Sequence, residues 1–149
     1  MNRFHVNIGV SDLAASIDFY TTLFGVTPTL VRDDYAKWML DDPALNFSLN
    51  ESSHEQGVNH LGLQVDSRDE LAAIQSRLDQ AAEETVAEPD AQCCYAASSK
   101  TWVRDPDDVA WESFVTHGKI THYGNQGIPG HDKPALTRCC AVPGTECCI

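Results

Sequence analysis

Two stretches of the chain alternate apolar and polar residues in the same way. Residues 4–12 read Phe-His-Val-Asn-Ile-Gly-Val-Ser-Asp, and residues 59–67 read Asn-His-Leu-Gly-Leu-Gln-Val-Asp-Ser. In each, a histidine opens a run with apolar side chains at every second position: Val6, Ile8 and Val10 in the first, Leu61, Leu63 and Val65 in the second. A period of two marks a strand with one buried face. The period then lengthens. Leu13, Ile17, Tyr20 and Phe24 recur at helical spacing, with Ser11 or Asp12 to cap the start and Gly25 to end it. Leu71, Ile74 and Leu78 do the same in the second half after Asp66 or Ser67, and acidic Asp69 and Glu70 suit the positive end of that helix.

Short runs after each helix predict strands near residues 29–31, 35–40 and 45–49, and again near 85–87, 100–104 and 110–115. Asp105-Pro106-Asp107-Asp108 is a strong turn signal between the last two. Each half therefore reads β-α-β-β-β, an internal repeat. The modules span 3–50 and 58–115, polar residues 50–57 link them, and together they form an α+β domain over 1–116. Beyond it, Gly118, Gly124, Gly127, Pro129, Gly130, Pro134, Pro143 and Gly144 break every periodicity. Residues 117–149 are expected to be an irregular, flexible, Cys-rich tail.

Charge narrows the partners. A net charge of −12 argues against nucleic acid and anionic membranes, both of which need basic patches. No apolar run has signal-peptide length and none approaches a membrane span. The six cysteines fall in three adjacent pairs, Cys93-Cys94, Cys139-Cys140 and Cys147-Cys148. Neighbouring Cα atoms lie about 3.8 Å apart, below the roughly 4.4–6.8 Å an unstrained disulfide needs. Free thiols in a reducing cytoplasm are therefore expected. Two adjacent thiolates suit the clamping of one soft, thiol-seeking atom.

A second constellation comes from the repeat. His5 and His60 hold equivalent places on equivalent strands, so a pseudo-two-fold packing of the halves lets them converge. In Val109-Ala110-Trp111-Glu112-Ser113-Phe114-Val115, Glu112 shares a strand face with Ala110 and Phe114. A buried carboxylate is costly unless paired or bound to a cation. Aligning Ala44-Leu45-Asn46 with Ala110-Trp111-Glu112 sets the weaker ligand Asn46 opposite Glu112. Two His and one carboxylate with open positions is the ligand set of non-haem Fe(II) oxygenases; similar ligands take Mn²⁺, and Zn²⁺ is a further option. His54, His117, His122 and His131 are read as solvated. Tyr95, Trp102 and Trp111 are read first as core packing, with cavity lining as the alternative.

Taken together, residues 3–115 resemble the vicinal oxygen chelate superfamily of glyoxalases, bleomycin-resistance proteins and extradiol dioxygenases. The likeness rests on the doubled module, on Ser16-Ile17-Asp18-Phe19-Tyr20 with Leu23-Phe24-Gly25, and on Arg104-Asp105-Pro106-Asp107-Asp108 leading to Trp111-Glu112. It implies a cupped mixed sheet around a metal held by His5, His60 and Glu112. Gln92-Cys93-Cys94-Tyr95-Ala96, followed by Lys100-Thr101-Trp102-Val103, resembles the vicinal-thiol loop of carbon–arsenic lyases and the similar cadmium-induced proteins. That implies an Fe(II)-dependent dioxygenase, with O₂ as co-substrate, that cleaves trivalent organoarsenicals such as methylarsonous acid and reduced aromatic arsenicals to arsenite. Cys93 and Cys94 are then the substrate-binding thiols, and Cys139, Cys140, Cys147 and Cys148 either deliver arsenicals or buffer metal. Three alternatives stand beside it: a non-catalytic cadmium or arsenite binder, a thiol transferase needing a basic phosphonate site, and an extradiol dioxygenase needing a further acid–base His. A monomer or a homodimer is compatible with one chain holding all three ligands.

Overall fold

A computed structural model describes residues 1–52, 56–121 and 128–129. Its elements run β1 (Arg3–Val10), α1 (Leu13–Phe24), β2 (Leu30–Arg32), β3 (Tyr35–Asp41), β4 (Ala44–Glu51), β5 (Gly57–Gln64), α2 (Arg68–Gln80), β6 (Thr85–Cys93), β7 (Ala96–Arg104) and β8 (Ala110–Lys119). The eight strands form one mixed sheet in the order β2-β3-β4-β1-β5-β8-β7-β6. The expected α+β architecture of two β-α-β-β-β modules is present.

The centre of the sheet carries the symmetry. β1 and β5 run antiparallel, with His5 opposite Gly62 and Asn7 opposite His60. β4 lies parallel to β1 and β8 parallel to β5. A pseudo-two-fold between β1 and β5 exchanges His5 with His60 and Asn7 with Gly62. The same register corrects one equivalence: Phe47 faces Val6 and Trp111 faces Leu61, so Ser48, not Asn46, is the counterpart of Glu112. A shift of two residues keeps the same face, so alternation alone does not fix it.

Both helices start as their sequences dictate. Asp12 accepts a hydrogen bond from the Ala15 amide, and Gly25 closes α1 at φ 71°. Ser67 and Glu70 form a reciprocal capping box on α2. Leu13, Ile17, Tyr20 and Phe24 of α1 pack on Ala36, Trp38, Phe47 and Leu49, and Leu71 and Ile74 of α2 pack on Val65 and Val115. The opposite face is buried yet polar, carrying His5, Asn7, Asn46, Ser48, His60, Ser98, Lys100 and Glu112. A sheet that buries polar groups on one face is built around a site rather than a second core.

Several boundaries move. β4 reaches Glu51 and β5 begins at Gly57, so the linker is shorter than 50–57. β6 extends from the expected 85–87 through Cys93, and β7 starts at Ala96. Pro89 hides the extension, because proline in a strand is tolerated only at an edge or bulge. β6 is the edge strand, and its register shifts between Glu88 and Ala91. β8 continues through residues 117–119, where Gly118 and Lys119 pair with Ala97 and Ala96, beyond the expected domain end at 116. His54, His122, His131, Cys139, Cys140, Cys147 and Cys148 lie outside the described residues. Among the described residues no helix is long and apolar enough to cross a membrane.

Candidate metal and thiol site

β1, β5 and β8 bring His5, His60 and Glu112 together on the buried polar face, at 6%, 8% and 3% exposure. Their ligand atoms all lie within 4.8 Å of one another. His5 Nδ1 is 3.0 Å from the Asn46 carbonyl oxygen. That oxygen only accepts, so Nδ1 carries the proton and Nε2 keeps its lone pair. His60 Nδ1 is 2.8 Å from Asn59 Oδ1, which fixes the same tautomer. The two Nε2 atoms are 3.1 Å apart, and each is 3.6 Å from Glu112 Oε2.

Electrostatics sharpens the picture. Burial lowers the His5 pKa to about 4 against the opposing pull of Glu112, so the ring is neutral near pH 7. Burial would raise the Glu112 carboxyl, but the Lys100 ammonium beside it holds it well below the usual carboxylate range. Lys100 Nζ donates to Glu112 Oε1. Burial alone would lower the Lys100 pKa; Glu112 raises it above the ordinary lysine value. Two lone pairs and a carboxylate oxygen thus face one point with no proton among them. Three converged acceptors repel unless a cation sits between, so the donor set fits a divalent metal, and the outer hydrogen bonds to Asn46 and Asn59 orient the rings as metal-ligand histidines require. Phe114 packs edge-on against His5 at 5.2 Å and Trp102 against His60 at 5.2 Å.

The thiols sit at the β6–β7 turn. Cys93 ends β6 and pairs with Ala96, so Cys94 and Tyr95 form a two-residue hairpin loop. Both have positive φ, 56° and 62°, the geometry of a type I′ turn that normally selects Asn-Gly. A non-glycine residue in this region is strained by about 1 kcal/mol or more. Tyr95 is tied down: its hydroxyl donates to Asp34 Oδ1 at 2.8 Å, and the Ile120 amide donates to its carbonyl. Cys93 and Cys94 are free thiols, their sulfurs 2.8 Å apart. A hydrogen bond from Cys94 lowers the Cys93 pKa despite burial, while that same bond and burial raise Cys94. One thiol is primed to ionise before the other.

Both groups open on one cavity of about 770 Å³, large enough for a small organic ligand. Its lining includes His5, His60, Glu112, Cys93, Cys94 and Lys100. Tyr95 and Trp102 also line it, Trp102 while staying buried, whereas Trp111 packs tilted against Phe4 with its Nε1 towards Asp105. His117 is exposed as expected, although Ser99 and Arg68 contact its Nε2. Among the described residues His5 and His60 are the only histidines lining the cavity. Two features escape the sequence. Lys100 is the partner of Glu112, and Arg32, Lys37 and Lys119 also reach the cavity, Lys119 from what reads as tail.

The family model of the Glyoxalase/Bleomycin resistance protein/Dioxygenase superfamily matches residues 3–113. The chain is 39% identical over 158 residues to a protein of Bacillus sp. (strain MD1) named trivalent organoarsenical cleaving enzyme, covering 99% of this chain and 91% of that one. It is 33% identical over 126 residues to cadmium-induced protein CadI of Mycobacterium tuberculosis, covering 84% of this chain and 83% of that one. An extradiol ring-cleaving dioxygenase of B. fuscum shares the fold at a TM-score of 0.60 and 15% identity, over 78% of this chain and 33% of that one.

Proposed function

The chain belongs to the Glyoxalase/Bleomycin resistance protein/Dioxygenase superfamily, and within it we propose an Fe(II)-dependent enzyme that uses O₂ to cleave the carbon–arsenic bond of trivalent organoarsenicals. Methylarsonous acid and reduced aromatic arsenicals are the substrate class, and inorganic arsenite is the product. One observation carries the reading: two free adjacent thiols and a buried His/His/Glu cluster line the same cavity. The organoarsenical-cleaving activity for which the Bacillus relative is named supports it.

Cys93, the more readily ionised thiol, attacks arsenic first, and Cys94 follows. Two S–As bonds replace two As–OH groups, and the two thiol protons leave with the hydroxyls as water. Ring closure by neighbouring residues brings a large effective-concentration gain. His5, His60 and Glu112 hold the metal, while Lys100 occupies Glu112 Oε1 and leaves Oε2 towards the two Nε2 atoms. Iron, when bound, supplies the redox chemistry that lets O₂ react with a C–As bond. Mn²⁺ or another divalent ion fits the same donors. Trp102 and Phe114 hold the histidine rings and keep water from them. The reading places the protein in a reducing cytoplasm, where both thiols stay free.

Cys93→Ser should abolish arsenical binding and keep bound iron, and Glu112→Ala should keep arsenical binding and lose turnover. An active Glu112→Ala variant, or loss of iron from Cys93→Ser, contradicts the assignment. A stoichiometric soft-metal binder is the second reading, favoured by the thiol pair and the cadmium-induced relative. Such a protein binds metal without consuming O₂.

A further inference from the structure

The chain carries a net charge of −12, yet its cavity is positive. Among the described residues, the charged ones lining it are Arg32, Lys37, Lys100 and Lys119 against one carboxylate, Glu112. Glu112 takes up Lys100. The other three have no carboxylate: among the described residues the ion pairs of Lys and Arg side chains are Arg3–Asp41, Lys100–Glu112 and Arg104–Asp108. Arg32 and Lys119 are solvent-exposed parts of the cavity lining. Lys37 is half-buried on β3; burial lowers its pKa, and it lies within electrostatic reach of Cys94 and Lys119. The Arg32 guanidinium sits over the Tyr95 ring, 5.2 Å from its centroid, one residue beyond Cys94. Asp34, on the β2–β3 turn, is engaged by the Tyr95 hydroxyl. Like charges gathered at a low-dielectric wall raise the local potential and draw an anion to it.

We propose, on the footing of the arsenical reading above, that Arg32, Lys37 and Lys119 beside Cys94 select trivalent arsenicals whose organic substituent bears a carboxylate. Lys37, half-buried and within electrostatic reach of both Cys94 and Lys119, is the principal specificity-determining residue. Once Cys93 and Cys94 hold arsenic, the organic group projects into the cavity that these three cations share. A neutral aryl or methyl group lacks the charge–charge attraction to them.

The test compares phenylarsenous acid with 4-carboxyphenylarsenous acid, binding to the full chain under argon, read by quenching of tryptophan fluorescence. The carboxylate compound should bind about fivefold more tightly, the upper end for a partly exposed ion pair, and the advantage should shrink at high salt. Lys37→Met should remove most of that ratio and Lys37→Arg should preserve it. Equal affinity of the two compounds in the native chain overturns the proposal, as does a ratio unchanged in folded Lys37→Met. Should that variant not fold, the salt dependence in the native chain decides. Failure of both arsenicals to bind sinks the arsenical reading instead.

Discussion

Gly62 is the residue through which β1, β5 and β8 meet at the site. It lies opposite His5 on one side and Glu112 on the other. A Cβ added there falls 2.2 Å from the Glu112 carbonyl oxygen and 3.2 Å from its carbonyl carbon. Relaxed carbon–oxygen approaches in sheets are about 3.3–3.6 Å, so β5 and β8 must part locally by about 1 Å. Backbone provides no rotamer through which to yield. Gly62→Ala should therefore cost about 2–3 kcal/mol, in the range of overpacked cores, or roughly 5–10 °C in Tm for a chain of this size. A catalytic constellation tolerates only about 0.5 Å of displacement; a shift of about 1 Å at Glu112 should lower turnover by about 100-fold. Gly118→Ala is the control. It lies on the same β8 with nothing within 4 Å of the added Cβ, and should be neutral or slightly stabilising. Thermal unfolding and steady-state kinetics on both variants check this. Gly62→Ala with the Tm and activity of Gly118→Ala would refute the claim that close strand approach at Gly62 sets the site geometry.

Further consequences follow from the buried charges. His5 takes up a proton near pH 6.5 in the unfolded chain and only near 4 when folded and metal-free, so stability is full above about 6.5 and falls as pH drops towards 4, by about 3 kcal/mol. Urea midpoints of chelator-treated protein should show this slope, and His5→Gln should flatten it; an equal slope in the variant assigns the loss to other groups. Lys100→Met leaves Glu112 buried without its cation and should cost metal-free protein about 3 kcal/mol. Added divalent metal should restore part of that loss, and equal destabilisation with and without metal in unfolding experiments would contradict the shared role of Glu112.

Much of the fold was written in two periodicities. The His-opened alternations at residues 4–12 and 59–67 map onto β1 and β5, and their equivalence is the pseudo-two-fold that brings His5 to His60. Glu112 was legible because a carboxylate between Ala110 and Phe114 contradicts the face it occupies. The edges were less so. Pro89 and the bulge disguise β6, while Ala96, Ala97, Ser98 and Ser99 carry too little apolar signal to announce the start of β7. The Cys94-Tyr95 turn lacks the Asn-Gly that marks its type, because tertiary contacts of Tyr95 with Asp34 and Ile120 hold the strained geometry. Lys100 reads as an ordinary strand lysine until its pairing with Glu112 is seen. Lys119 is hidden for another reason: glycine at 118 ends the periodic pattern while the backbone pairing with Ala96 and Ala97 goes on.

The central claim is that thiols and metal act on one bound arsenical. The most direct measurement is release of inorganic arsenite from methylarsonous acid by protein loaded anaerobically with Fe(II), with and without added O₂. Arsenite that appears only when iron and O₂ are both present is the predicted result. Tight arsenical binding with no arsenite released, in protein of verified iron content supplied with O₂, would contradict it.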